Sequence, residues 1–331
     1  MGNRRRRWRR LAVLLIMIVA LLGVALLLPY VIPAQRDTLS PETLADPDSR
    51  FIALNGMQVH YKMYGQGEPT IVLLHGLGSG TFSWHKVADA LATEGTVIAF
   101  DRPGFGLTSR PLPGDWQGEN PYSRAAQAKL TIALLDALGR ERAVLVGHSA
   151  GGSLAFLTAL RYPGRVTAVV LVDAAIYTEG GTPSWILPLL RTPPLRRLGP
   201  LFVRLIFGAN GDRLLQSAWH DPSKITPDLI AAYRKATRVT NWDRAFWEFT
   251  LASEQLDLAS QVAALTTPAL VITGDNDTWV PTAESVRLAD ELPDAQLAII
   301  PNCGHVPQEE CPEAFLAAIV PFLHWISLSQ P

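Results

Sequence analysis

One pentapeptide, Gly147-His148-Ser149-Ala150-Gly151, constrains this chain more than any other stretch, because of what flanks it. An apolar, strand-like run, 143–146, leads into it, and a helix-like run, 153–161, follows. A strand that turns straight into a helix strains the residue at the turn and brings neighbouring backbones into close passage. Gly147 and Gly151, two before and two after the serine, supply the room. The spacing predicts a sharp turn that lifts Ser149 to the edge of a sheet.

The same strand-then-helix rhythm recurs along the chain. Runs 57–64, 70–74, 96–100, 143–146, 166–172, 269–273 and 295–300 read as strands, and 123–138, 153–161, 282–291 and 312–325 as helices. Such alternation predicts an α/β fold, a mostly parallel central sheet with helices on both faces. Asn55-Gly56 is a hairpin signal, so the sheet is expected to begin with an antiparallel pair. The rhythm breaks over 174–267, where no strand-like run occurs and prolines cluster at Pro183, Pro188, Pro193, Pro194 and Pro200. That stretch reads as a helical cap insertion rich in aromatic residues. The organisation expected is therefore an arginine cluster and anchor (1–35), a polar linker (36–50), a first core part (51–173), the cap (174–267) and a second core part (268–331).

With 331 residues, 48% hydrophobic and 18% charged, the chain can bury a full core. Its formal net charge of -1 conceals an asymmetry: six of the 29 basic residues lie in 4–10, leaving 23 against 30 acidic, a formal -7. A globular part of that sign predicts no nucleic-acid partner. Residues 11–35 carry no charge and 11–33 are almost wholly aliphatic, which reads as a membrane-spanning helix in the lipid bilayer. A cleaved signal peptide is the other reading, although Ile32-Pro33-Ala34 is a poor cleavage site. Twin-arginine export and N-myristoylation are minor alternatives, the second because Arg6 stands where Ser or Thr is wanted. The arginines before the span place the N-terminus in the cytoplasm and the globular part on the external or periplasmic side. Cys303 and Cys311 form either a disulfide or two buried thiols, and without a histidine pair at ligand spacing they make no metal site.

In a sheet of this class ligands sit outside the carboxyl ends of the strands, so the residues just after each run matter most. They are His75-Gly76-Leu77-Gly78, Asp101-Arg102-Pro103-Gly104-Phe105-Gly106, the Ser149 turn, Gly274-Asp275-Asn276-Asp277 and Pro301-Asn302-Cys303-Gly304-His305. Ser, Asp and His thus follow one another in that chain order.

With these pieces in place, residues 51–325 resemble the alpha/beta-hydrolase superfamily, and within it the capped, HGxG-type serine hydrolase or esterase branch. The resemblance implies Ser149 as nucleophile on an elbow made with Gly147, His148 and Gly151, His305 as general base and Asp277 as the acid that orients it. Asp275 competes for the acid role, although Gly274, Asp277 and Val280-Pro281 fit the family's turn; Asp173, at a strand end, is a further alternative. Backbone N–H groups of Leu77 and Ala150 are implied as the oxyanion hole, with His75, Gly76 and Gly78 forming its turn. Asp101 and Arg102 are expected to brace loops. A serine at the elbow excludes the dehalogenase and epoxide-hydrolase relatives, which place aspartate there. No cofactor and no metal is implied.

The function expected is a membrane-anchored serine hydrolase that cleaves a lipophilic carboxylic ester, a small-molecule substrate, through an acyl-enzyme. Two alternatives stand beside it. One is a capped hydrolase of a soluble metabolite such as a ring-cleavage product or lactone, and the other is a non-catalytic ligand-binding protein on the same fold.

Overall fold

The computed structural model describes residues 2–31, 38–178, 182–252 and 256–329. Its frame is an eight-stranded sheet in the order β1-β2-β4-β3-β5-β6-β7-β8. The strands are β1 (Arg50–Leu54), β2 (Met57–Tyr64), β3 (Thr70–Leu74), β4 (Thr96–Phe100), β5 (Ala143–His148), β6 (Val166–Val172), β7 (Ala269–Gly274) and β8 (Ala295–Ile300). β1 and β2 pair antiparallel across Asn55-Gly56, β2 and β4 also pair antiparallel, and the rest of the sheet is parallel. The α/β class and the parallel sheet are as the alternation predicted.

The central strands are buried on both faces because their apolar residues alternate between two cores. Val72 and Leu74 of β3 and Leu145 of β5 join one, under α4 (Arg124–Ala137) and α5 (Ala150–Arg161). Ile71, Leu73, Val144 and Val146 join the other, with Trp84, Leu91 of α3 (Ala88–Leu91), Phe315 and Phe322. The chain goes from β3 to β4 on one side and then crosses to β5 on the other. That reversal opens a crevice at the carboxyl ends of β3 and β5, the place such sheets reserve for ligands.

α5 begins at Ala150, immediately after the serine, three residues before the helix-like run read from sequence. Between β6 and β7 the described residues are helical: α6 (Leu187–Leu190), α7 (Pro193–Val203), α8 (Gly211–Ser217), α9 (Pro227–Ala236) and α10 (Trp242–Ala252). Residues of α8, α9 and α10 line the crevice, with Phe207, Trp242 and Phe246 directed to it. Within 36–50 the described part is tied down, since α2 (Pro41–Leu44) and a bridge between Leu39 and Val239 fix it against this helical region.

The membrane expectation is corrected. Among the described residues, no helix is long and apolar enough to cross a membrane. The helix there, α1 (Gly2–Val31), carries Arg6, Arg7, Arg9 and Arg10 near its start. Part of the expected span, including 32–33 and the Ile32-Pro33-Ala34 site, lies outside the described residues. The external placement of the globular part, which depended on that span, falls with it. At the other end of α1 the Arg197 guanidinium of α7 sits over the Tyr30 ring at 4.4 Å.

Phe156 of α5 is fully buried in the first core. Phe156→Ala is expected to lower unfolding stability by about 3 to 5 kcal/mol, read as a shifted urea midpoint at unchanged slope.

Candidate active site

The site starts from the backbone at Ser149. The residue sits between β5 and α5 at φ 53° and ψ -119°, a region that side-chain-bearing residues rarely adopt. Its N–H donates to Val172 O at 2.8 Å, which pins the turn to β6. A Cβ on Gly147 would lie 2.3 Å from Gly151 O, and one on Gly151 would lie 2.1 Å from Leu74 O. The two glycines are therefore demanded by the close crossing of helix and strand.

Two loops bring partners to this serine. His305, after β8, holds Nε2 at 3.0 Å from Ser149 Oγ and Nδ1 at 2.7 Å from Asp277 Oδ2. One neutral tautomer satisfies both bonds: Ser149 O–H donates to Nε2, and Nδ1–H donates to Asp277. Asp277 Oδ1 accepts from the N–H groups of Trp279 (2.7 Å) and Val280 (3.0 Å). Burial alone would raise this carboxyl, but the His305 hydrogen bond and charge and the two N–H groups overcome it and hold Asp277 below the ordinary range. The Trp279 ring stacks on the imidazole at 5.3 Å. Asp275 is exposed and accepts instead from Cys303 N–H at 3.3 Å, away from His305.

The N–H groups of Leu77 and Ala150 donate to no protein acceptor among the described residues, which leaves them available to a ligand oxygen. Ala150 is the first residue of α5, so the positive end of that helix adds to the same potential. His75 ties the turn together: Nδ1–H donates to Gly76 O at 2.8 Å and Nε2 accepts from Arg102 N–H at 3.0 Å. Burial first, and Arg102 second, push its imidazole down to about 3, so it stays neutral. His148 is likewise pushed down to about 3 by burial and by His305, and its Nε2–H donates to His305 O at 2.6 Å. Asp101 accepts from His60 Nδ1–H (2.6 Å), Thr81 N–H (2.6 Å) and Leu107 N–H (2.7 Å), bracing its own loop against β2 and the segment after β3.

With the sheet order and this geometry in hand, the comparison with known proteins is decisive. The family described as alpha/beta hydrolase fold matches residues 69–312. The chain belongs to that family.

A 2-hydroxy-6-oxononadienedioate/2-hydroxy-6-oxononatrienedioate hydrolase of Burkholderia vietnamiensis is 32% identical over 279 residues, covering 81% of this chain and 91% of the relative. A 2-hydroxymuconate semialdehyde hydrolase of Pseudomonas putida is 32% identical over 286 residues, covering 83% and 93%. Among solved structures, a meta-cleavage product hydrolase from Pseudomonas fluorescens is 29% identical with a TM-score of 0.65, covering 83% of this chain and 97% of that one. This member of the alpha/beta hydrolase family is a hydrolase. The relatives do not favour the lipophilic ester first expected; they fall with the ring-cleavage alternative.

Two cavities of the hydrolase meet at Ser149 and His305. Both are mainly apolar; one, of about 260 Å³, has Leu77, Phe207, Leu215, Trp242 and Val306 in its wall, together with Arg110 and the paired Arg234 and Asp212. The other, of about 420 Å³, carries Arg102, Arg124 and Gln127, and no aspartate or glutamate is among its described lining residues. Arg102 is 2% exposed; it donates to Gln127 Oε1 and Gly76 O, both at 3.2 Å, while its Nε has no partner. Burial and the neighbouring Arg124 charge push its guanidinium down to about 9. Sequence reading assigned Arg102 only a bracing role and missed Arg124, since nothing local in either position points to a shared cavity.

Two glutamates also escaped it. Glu310 accepts from the N–H groups of Gly304 (2.8 Å), His220 (3.1 Å) and Asp221 (2.7 Å), tying the His305 loop to the helical region above it. Cys303 and Cys311, for which a disulfide and free thiols both stood open, are bonded and bracket the same loop. Glu309 is buried and accepts from Tyr233 O–H of α9 at 2.7 Å, with Oε2 unpartnered. Burial raises it from 4.5 to about 8.

Between those two values the folded state holds a proton that the unfolded chain has released, so stability falls as pH rises from about 4.5 towards 8. Glu309→Gln removes this penalty. Its stability relative to the parent is expected to rise over that window by at most about 1.4 kcal/mol per pH unit, measured by urea unfolding at several pH values.

Proposed function

We propose that this protein hydrolyses a carbon-carbon bond in a 2-hydroxy-6-oxo-dienoate of the kind left by aromatic ring cleavage, with Ser149, His305 and Asp277 as its triad. The observation that carries the reading is the cavity beside Ser149 and His305 that holds Arg102 and Arg124 with no aspartate or glutamate among its described lining residues, next to a second cavity whose arginines are already engaged. Such a substrate has two unlike halves on either side of the scissile bond. Its carboxylate-bearing dienol half matches the cavity with Arg102 and Arg124, and the acyl half matches the second. The apolar wall favours an alkyl or aryl acyl group over a charged one: Arg110 is occupied by Gly106 O and Thr108 O, and Arg234 is paired with Asp212.

Breaking a bond to carbon requires a leaving group that can hold an electron pair. Tautomerisation of the 2-hydroxydiene to the 2-oxo form, with a proton added at C5, provides one. Ser149 Oγ then adds to the C6 carbonyl as His305 takes its proton, and the oxyanion faces Leu77 and Ala150 N–H. Collapse breaks C5–C6, the electron pair leaves as the dienolate held beside Arg102 and Arg124, and His305 returns a proton to it. Water, deprotonated by His305, releases the acyl group from Ser149 as a carboxylic acid. Asp277 holds the imidazole tautomer that both half-reactions use.

The test is a comparison of kcat/KM for a 2-hydroxy-6-oxo-dienoate bearing a 6-alkyl or 6-phenyl group, followed by loss of dienolate absorbance, with p-nitrophenyl butyrate. The dienoate is expected to be favoured by about a hundredfold or more, and Ser149→Ala to lose about 10³-fold or more on it. Arg124→Gln should raise KM for the dienoate about tenfold and leave that for the ester nearly unchanged. A preference for the ester, unaffected by Arg124, would assign the protein to ester hydrolysis instead.

A further inference from the structure

A second carboxyl stands behind the triad. Asp173, the residue after β6, is wholly buried at φ 44°, and its Oδ1 accepts from Thr273 Oγ1 (2.8 Å) and Gly274 N–H (3.2 Å). Its Oδ2 receives no hydrogen bond from any donor. One oxygen of Asp173, one of Asp277 and one nitrogen of His305 all lie within 4.8 Å of one another. Two carboxylates this close and this buried cannot both carry charge.

The donors decide which one is ionised. Asp277 receives the imidazole N–H and two backbone N–H groups, whereas Asp173 Oδ2 receives none. Burial, and after it the Asp277 charge, raise Asp173 well above the ordinary carboxyl range, while Asp277 is held below it. The other titratable groups at this pair are His305 itself and, against its carbonyl, the neutral His148.

We propose that Asp173 is a neutral carboxylic acid that shares its proton with Asp277, and that it takes up the negative charge beside His305 when Asp277 cannot carry it. It is a positioning residue, acting through Asp277 and touching no substrate, and the proposal rests on the triad reading of Ser149, His305 and Asp277. The pair keeps one proton and one charge throughout; only their distribution changes. Asp173 Oδ1 is served by Thr273 and Gly274, Oδ2 is reached by no donor, and the carboxyl stands within 4.8 Å of Asp277.

Two measurements test it. The infrared difference spectrum between the full chain and Asp173→Asn at neutral pH should contain the C=O stretch of a protonated carboxylic acid; a difference made only of carboxylate bands overturns the proposal. The rate of Ser149 labelling by a fluorophosphonate should then be followed against pH in Asp277→Asn and in Asp277→Asn/Asp173→Asn. The double variant should label about tenfold more slowly, with the acidic limb of its profile moved to lower pH, because the last carboxylate beside the base is gone. Equal rates and superimposable profiles overturn it. Should the double variant fail to fold, the Asp277→Asn chain still decides: its spectrum should gain a carboxylate band assignable to Asp173, and a retained protonated C=O overturns the proposal. A wild type that never labels would overturn the triad reading, and the infrared band would still decide the state of Asp173.

Discussion

The structure hangs on one close crossing, the passage of α5 over the end of β5 with Ser149 at the corner. Its left-handed backbone is tolerated because Gly147 and Gly151 let the chains approach, Ser149 N–H is bound to Val172 O, and both flanking elements are buried in the core. A strained residue of this kind costs about 1 to 3 kcal/mol and persists only where its surroundings over-determine it. In exchange the hydroxyl stands clear of the sheet, with the helix N-terminus behind it and the β3 turn beside it.

Everything else in the site is arranged around that fixed point by buried carboxylates. Asp101 braces the loop after β4 against β2 and the segment after β3, while Glu310 joins the His305 loop to the chain above the crevice. Asp277 orients the imidazole. Each of these groups has its oxygens occupied by several donors, which is what allows a charge to remain in a region of low dielectric. Asp173 and Glu309 are the exceptions, each with one oxygen unpartnered, and burial drives both toward the neutral form.

What could be read from sequence was what has a local signature. Apolar runs such as 70–74 and 96–100 mark strands that are buried on both faces, and the turn residues after them carry Ser149, Asp277 and His305 in order. The helix-like run read from sequence starts at 153 rather than 150 because Gly151-Gly152 is poor helix-forming sequence, and tertiary contact overrides that propensity. The cavity with Arg102 and Arg124 was illegible, because its members come from the loop after β4 and from α4, far apart in the chain. Glu310 was equally hidden, since its partners are backbone N–H groups that no side-chain pattern reports. The uncharged N-terminal run suggested a membrane span from length and composition alone, and the helix that forms there does not meet that requirement among the described residues.

In this geometry the strained corner presents an activated serine. Its most direct test is intact-mass and peptide analysis of the full chain after exposure to a fluorophosphonate. A single adduct located on Ser149, absent from Ser149→Ala, is the result expected from the Oγ–Nε2 contact and the empty N–H pair at Leu77 and Ala150. A folded wild type that takes up no adduct, or one that carries it elsewhere, would contradict the account at its root.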